Sequence, residues 1–135
     1  MIHLDTSFLV DLLREHRRNR FGPAASYLEG LPDDEVLGVS VHVVCELMAG
    51  VYAAGAPAGE LDRLVRLCDA LVVRYPDERF AREYGRLLGA IRASGSSVDT
   101  MDLLIATAAV LDRVPLVTRN GRHFSKVPGL SVGKY

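Results

Sequence analysis

Three carboxylates stand where apolar residues would be expected. Asp5 ends the apolar run Ile2-His3-Leu4 and precedes Thr6-Ser7-Phe8-Leu9, the start of an amphipathic segment. Glu46 lies within Val43-Val44-Cys45-Glu46-Leu47-Met48, and Asp102 within Met101-Asp102-Leu103-Leu104-Ile105-Ala106. Ionised carboxylates lose their hydration on burial and are almost never fully buried unless paired or bound to a metal. Three such settings in one short chain imply a site that gathers oxygen ligands for a hard divalent cation, Mg²⁺ or Mn²⁺, with water completing its shell. That cation would activate water and stabilise charge on a phosphoryl oxygen, so no His, Lys or Ser nucleophile is needed.

Each residue also has a plainer reading. Asp5 precedes a helix that Thr6 or Ser7 can cap, and can itself serve as part of that cap. Glu46 lies about one and a half turns into its helix, too deep for a capping or dipole role. It could face solvent, although Ala49 and Gly50 leave space beside it. Asp99-Thr100-Met101-Asp102 has the spacing of a capping box, with Asp102 in the reciprocal position. Capping and metal binding are compatible there. Other chemistries lack their motifs. There is no G-x-x-x-x-G-K-[ST], no G-x-G-x-x-G after a strand and no G-x-S-x-G elbow. His3, His16, His42 and His123 lack zinc spacing.

The elements that must position these groups follow from apolar periodicity. Strands are expected at Ile2–Leu4, Val36–Val39, Leu71–Val73 and Pro115–Thr118, with an edge strand at Leu130–Val132. The first helix carries Phe8, Leu9, Leu12 and Leu13, and Pro23 opens a second, short one. Ser40 caps a third from Val41 to about Ala53, and Glu60 to about Ala70 forms a fourth. A fifth starts at Pro76-Asp77 and buries Phe80, Tyr84, Leu87, Leu88 and Ile91. The sixth, capped by Asp99 or Thr100, is apolar nearly all round from Leu103 to Leu111 and belongs in the middle of a domain. Arg119 to Phe124 reads as a loop. Strands alternating with helices predict a parallel-sheet α/β sandwich forming one domain over residues 1–135. Asp5 then stands at the carboxyl end of the first strand, where open α/β sheets bind ligands.

The chain has 135 residues, 49% hydrophobic, and a formal net charge of −1. It is therefore not a bulk nucleic-acid binder by charge. The two cysteines, Cys45 and Cys68, are too few and too far apart for a disulfide framework, which fits a reducing cytosol. The amino terminus does not look like a signal peptide, and no apolar run could span a bilayer. Positive charge is local: Arg14, Arg17, Arg18 and Arg20 cluster after the first helix, and Arg119, Arg122, Lys126 and Lys134 lie near the end. These arginines are candidates for phosphate contacts, with a solvated basic surface as the alternative.

Four segments in this order and spacing carry a resemblance: Leu4-Asp5-Thr6-Ser7; Ser40-Val41-His42-Val43-Val44-Cys45-Glu46-Leu47 with Gly50; Asp102-Leu103-Leu104-Ile105-Ala106-Thr107-Ala108; and Leu116-Val117-Thr118-Arg119-Asn120 through Phe124, closing with Val127-Pro128-Gly129-Leu130. Over essentially the whole chain the sequence resembles PIN-domain ribonucleases, specifically the VapC toxins of bacterial toxin–antitoxin pairs. The resemblance implies a PIN-like sandwich with a short parallel central sheet of four to five strands flanked by helices. It implies a cytoplasmic endoribonuclease that cleaves RNA with Mg²⁺, Mn²⁺ being able to substitute. Asp5, Glu46 and Asp102 match the family's catalytic, metal-binding acids, and Thr6 or Ser7 the hydroxyl supporting the first of them. A cognate VapB-type antitoxin and a homodimer are implied as well. Phe8, Leu9, Leu12, Leu13 and Tyr52 exceed the obvious needs of one small core, and some are expected to line an antitoxin groove or a dimer interface.

There is one departure. The family often has a fourth acid in the loop after the last core strand, where this chain has Asn120 and His123. Asn120 could orient a metal-bound water, and Asp99 could partly replace the missing charge. The other functional reading is a non-catalytic RNA- or protein-binding domain that retains the PIN fold.

Overall fold

Ile2, His3 and Leu4 are all buried, as a strand covered on both faces must be. In the computed structural model, which describes residues 1–135, this strand is the middle of a five-stranded parallel sheet. The strands are β1 (Ile2–Leu4), β2 (Leu37–Ser40), β3 (Val72–Arg74), β4 (Leu116–Val117) and β5 (Val132–Gly133). Seven helices flank them: α1 (Thr6–Arg17), α2 (Pro23–Glu29), α3 (Val41–Ala53), α4 (Glu60–Asp69), α5 (Phe80–Ala93), α6 (Thr100–Asp112) and α7 (Gly121–Phe124). None is long and apolar enough to cross a membrane.

The sheet order is β3-β2-β1-β4-β5. The chain moves outward from β1 through β2 to β3, then returns to the other side of β1 for β4 and β5. The order therefore reverses beside β1, and a crevice opens at the carboxyl ends of β1 and β4. Leu4 pairs with Val117 across these two strands. The next residue, Asp5, donates its backbone N–H to Val117 O at 3.0 Å.

Helix α6 forms the centre of one layer, with Leu103, Ile105, Ala106, Thr107, Ala108 and Ala109 buried, as its all-round apolar sequence predicts. Its far end is tied to the sheet. Asp112 Oδ2 accepts from His3 Nε2 at 2.8 Å and from Arg74 Nε at 2.7 Å. Burial pushes the His3 pKa down against the opposing pull of Asp112, which favours a neutral imidazole donating through Nε2. This tie fixes α6 against β1 and β3, and so fixes the opposite end of the helix, where Asp102 lies.

Several local expectations are met. Ser40 accepts from His42 N and caps α3, Pro23 opens α2, and Asp99 accepts from Met101 N and caps α6. Others need correction. The cap of α1 is Asp5, not Thr6 or Ser7, because the extended backbone of Asp5 lets its carboxylate accept from Ser7 N. Helix α5 begins at Phe80, since Asp77 holds a turn by accepting from Arg79 N at 2.9 Å. Residues 121–124 form the short helix α7 rather than a loop. Phe8 and Leu9 are fully buried core residues, so neither lines a surface groove, whereas Tyr52 is 64% exposed.

Leu103 follows Asp102 directly and is completely buried. Leu103→Ala is expected to lower stability by about 2–5 kcal/mol through lost transfer energy and a residual cavity. Urea denaturation of both proteins checks this.

Candidate metal centre

Asp5 is only 4% exposed. Its Oδ2 accepts from Ser7 Oγ at 2.7 Å, from Thr118 Oγ1 at 2.7 Å and from Ser7 N at 3.4 Å. Two hydroxyls and an amide thus replace the water lost on burial. All these bonds fall on Oδ2, which leaves Oδ1 for another partner. Thr118 is not singled out by sequence pattern. The available signal was positional: it directly follows β4, as Asp5 directly follows β1, and the two strands are neighbours.

Glu46 is half-buried on α3 and accepts from Thr6 Oγ1 through Oε2. The two hydroxyls that follow Asp5 in sequence therefore divide, Ser7 serving Asp5 and Thr6 serving Glu46. Burial pushes the Glu46 pKa up. The Thr6 bond opposes this, and the charges of Asp5, Asp102 and Asp99 add to it. A freely solvated glutamate would not be placed this way.

Asp102, also half-buried, does not complete the capping box. Asp99 Oδ1 caps α6 through Met101 N at 2.9 Å, while Asp102 Oδ2 lies 3.1 Å from His123 Nδ1. Burial raises the Asp102 pKa, with His123 opposing and the charges of Asp5 and Asp99 adding. The three carboxylates thus share one electrostatic field, but no three acidic, His or Cys side chains converge on one coordination point. Their mutual repulsion is what a divalent cation would relieve, and an oxygen-only donor set suits a hard cation.

The remaining site candidates lie around this centre. Asn120 is exposed, and its backbone N–H donates to Thr118 Oγ1 at 3.0 Å. Its side chain makes no capping bond to α7. Arg122, His123 and Lys126 line an open cleft with Asp99 and Asp102. On the Glu46 side, Thr6 and Glu46 line a second groove with Val10, Leu13, Leu47 and Val51, and Arg17 at its edge lies 3.8 Å from Glu60. Arg14, Arg18 and Arg20 line a third cleft with Phe21 and Arg119. The Arg119 guanidinium is held by Asp11, at 2.8 Å from Oδ1 and 2.5 Å from Oδ2.

A model of the PIN domain matches residues 2–130. The chain is 36% identical over 129 residues to Ribonuclease VapC19 of Mycobacterium tuberculosis, covering 94% of each protein. Its structure resembles that of VapBC2 from Rickettsia felis bound to a DNA fragment from their promoter, with a TM-score of 0.86, 25% identity, and 100% and 99% of the two chains covered. It also resembles VapBC-1 from nontypeable Haemophilus influenzae in fold, with a TM-score of 0.84 at 23% identity over 99% and 98% of the chains. The chain belongs to the PIN-domain family.

The raised pKa of Glu46 has a consequence for stability. Between the ordinary glutamate value and the raised one, the folded state binds more protons than the unfolded state. Stability is therefore lost as pH rises through that window. In metal-free protein, Glu46→Gln is expected to raise the melting temperature at neutral pH, with the gain shrinking as pH falls through that window and gone below the ordinary glutamate value. Thermal melts of both proteins across pH check the sign.

Proposed function

We propose that this chain is a divalent-metal-dependent endoribonuclease whose metal is held by Asp5, Glu46 and Asp102. The observation that carries the reading is the Asp5 carboxylate. It is buried at the sheet's switch point, with one oxygen fixed by three donors and the other open. Glu46 and Asp102 lie within its field. A relative covering 94% of the chain is named a ribonuclease, which supports RNA as the substrate.

When bound, the cation supplies Lewis-acid activation of water and neutralises charge on the phosphoryl group. Mg²⁺ is the natural choice for an all-oxygen site, and Mn²⁺ has closely similar needs. The protein's own residues do the rest. Ser7 and Thr118 orient Asp5, Thr6 orients Glu46, and α6 carries Asp102 into the electrostatic field of Asp5. Asn120 stands in the loop where the family often has a fourth acid, as a neutral group able to orient water, with Asp99 adding charge nearby. Arg14, Arg17, Arg18 and Arg122 are the free or weakly paired cations for phosphate contacts.

Residues 1–135 act as one nuclease unit in this reading, supported by the single sheet and the family match over residues 2–130. The partner is a VapB-type antitoxin, because the solved relatives include toxin–antitoxin complexes. The groove between α1 and α3, with Val10, Leu13, Leu47 and Val51 along it and Glu46 in its wall, suits an amphipathic segment. An arginine on that segment would pair with the carboxylates and exclude the metal. The active form is a cytoplasmic homodimer, and exposed Tyr52 is available to that interface.

Asp5→Asn keeps acceptors for both hydroxyls, so the fold is expected to survive. RNA cleavage should fall at least roughly 100-fold, the upper end of what loss of a group supporting a metal ligand costs. Cleavage assays on the folded variant check this, and full activity would refute the assignment. Asn120→Asp adds a negative charge near the cation and should tighten Mn²⁺ binding in a calorimetric titration. Unchanged affinity would make this loop a bystander.

A further inference from the structure

Asp5 depends on two hydroxyls, and each must point its single proton at Oδ2. A hydroxyl has one proton and two lone pairs, so something must occupy the lone pairs to fix the direction. Two backbone amides do so. Arg119 N donates to Ser7 Oγ at 3.2 Å, and Asn120 N donates to Thr118 Oγ1 at 3.0 Å. An amide cannot accept and an ionised carboxylate cannot donate, so both protons go to Asp5. The 3.2 Å approach of Ser7 Oγ to Thr118 Oγ1 then carries no proton of its own.

The segment after β4 must be held still for this to work. Asp11 lies one helical turn beyond Ser7, on the same face of α1. Ser7 takes the backbone N–H of Arg119, and Asp11 takes its guanidinium with both oxygens, at 2.8 and 2.5 Å. Helix α1 therefore grips one residue by main chain and side chain together. Tyr135 completes the clamp. Its hydroxyl donates to Asp11 Oδ2 at 2.8 Å, and its ring sits edge-on to Phe8 with centroids 4.6 Å apart. Burial and the adjacent Asp11 carboxylate keep the Tyr135 hydroxyl protonated, and so a donor.

We propose that Asp11, Arg119 and Tyr135 are positioning residues for the Asp5 carboxylate, holding the segment after β4 so that its amides direct two hydroxyl protons onto Asp5. Arg119 thereby has a role distinct from a phosphate contact: its side chain serves the metal centre from behind. The link to metal affinity rests on the function proposed above. The clamp itself does not, and it has a readout that needs no metal.

The test uses the full chain and the variants Asp11→Asn, Arg119→Ala and Tyr135→Phe. Asp11→Asn keeps the side-chain shape and Tyr135→Phe keeps the packed ring, so these two remain informative if a larger truncation unfolds. The first readout is hydrogen exchange at the Arg119 and Asn120 amides in metal-free protein. Exchange at both is expected to speed up about tenfold in Asp11→Asn, with core amides of β1 and α6 unchanged and Tyr135→Phe showing a smaller effect. The second is Mn²⁺ affinity, expected to weaken about tenfold in Asp11→Asn and Arg119→Ala, and no further when the two are combined. The third is RNA binding by metal-free protein, expected to be the same for Arg119→Ala and the parent. Unchanged exchange at both amides would overturn the proposal. So would weaker metal-free RNA binding by Arg119→Ala with exchange unaltered, which would make Arg119 a phosphate contact. Faster exchange with Mn²⁺ affinity unchanged even in Asp5→Asn would uphold the clamp and count instead against the metal assignment.

Discussion

Burying the Asp5 carboxylate costs several kcal/mol unless hydrogen bonds replace its lost hydration. The protein meets this cost on one oxygen only, and much of the architecture serves that asymmetry. Ser7 comes from the first turn of α1 and Thr118 from the end of β4, so the strand pairing of β1 with β4 is what brings the second hydroxyl within reach. A one-residue slip in that register would move Thr118 to the other face of the sheet and leave Asp5 underbonded. The sheet order matters for the same reason. Where the strand order reverses beside β1, the ends of two neighbouring parallel strands open into a crevice.

Glu46 and Asp102 show the opposite balance. Each is only half-buried and keeps one supporting partner, Thr6 for Glu46 and His123 for Asp102. Burial and neighbouring negative charge push both pKa values up, so the metal-free site is under electrostatic strain at neutral pH. Sites arranged for function commonly give up stability in this way. A cation would remove the strain, and binding and stability are then linked by mass action. The surroundings divide by chemistry. An apolar groove adjoins Glu46, while a cleft with Arg122, His123 and Lys126 adjoins Asp102. A protein partner and a phosphate chain could thus approach the carboxylates from different sides.

The parts of the fold that depend on local pattern were legible in the sequence. Ser40 before a helical run, Pro23 at a helix start and the all-round apolar α6 each reflect neighbours within a few residues. The three carboxylates were legible because charge is conspicuous in apolar surroundings. Thr118, Asp11 and Tyr135 were not. Thr118 bonds Asp5 across 113 positions and Tyr135 bonds Asp11 across 124, and periodicity carries no information about such pairings. The pattern leaves Asp5, Thr6 and Ser7 all open as the cap of α1 and starts α5 too early at Pro76-Asp77, because Asp, Ser and Thr all make local backbone bonds and the choice among them turns on dihedral angles. Which of Phe8, Leu9, Leu12 and Leu13 remain at the surface is not legible, because an amphipathic stripe does not reveal how much of it the core absorbs; Phe8 and Leu9 are buried, whereas Leu13 lines the groove beside Glu46.

In the proposed function Asp5, Glu46 and Asp102 share one divalent cation. Anomalous diffraction from crystals of the metal-loaded protein, recorded at the manganese edge, tests it most directly. A shared cation gives a peak in the crevice beyond β1 and β4, within coordinating distance of Asp5 Oδ1 and at least one of the other two carboxylates. That peak should be absent in Asp5→Asn crystals grown under the same conditions. A peak elsewhere on the protein, or one that persists unchanged in Asp5→Asn, would mean that these carboxylates do not hold the metal.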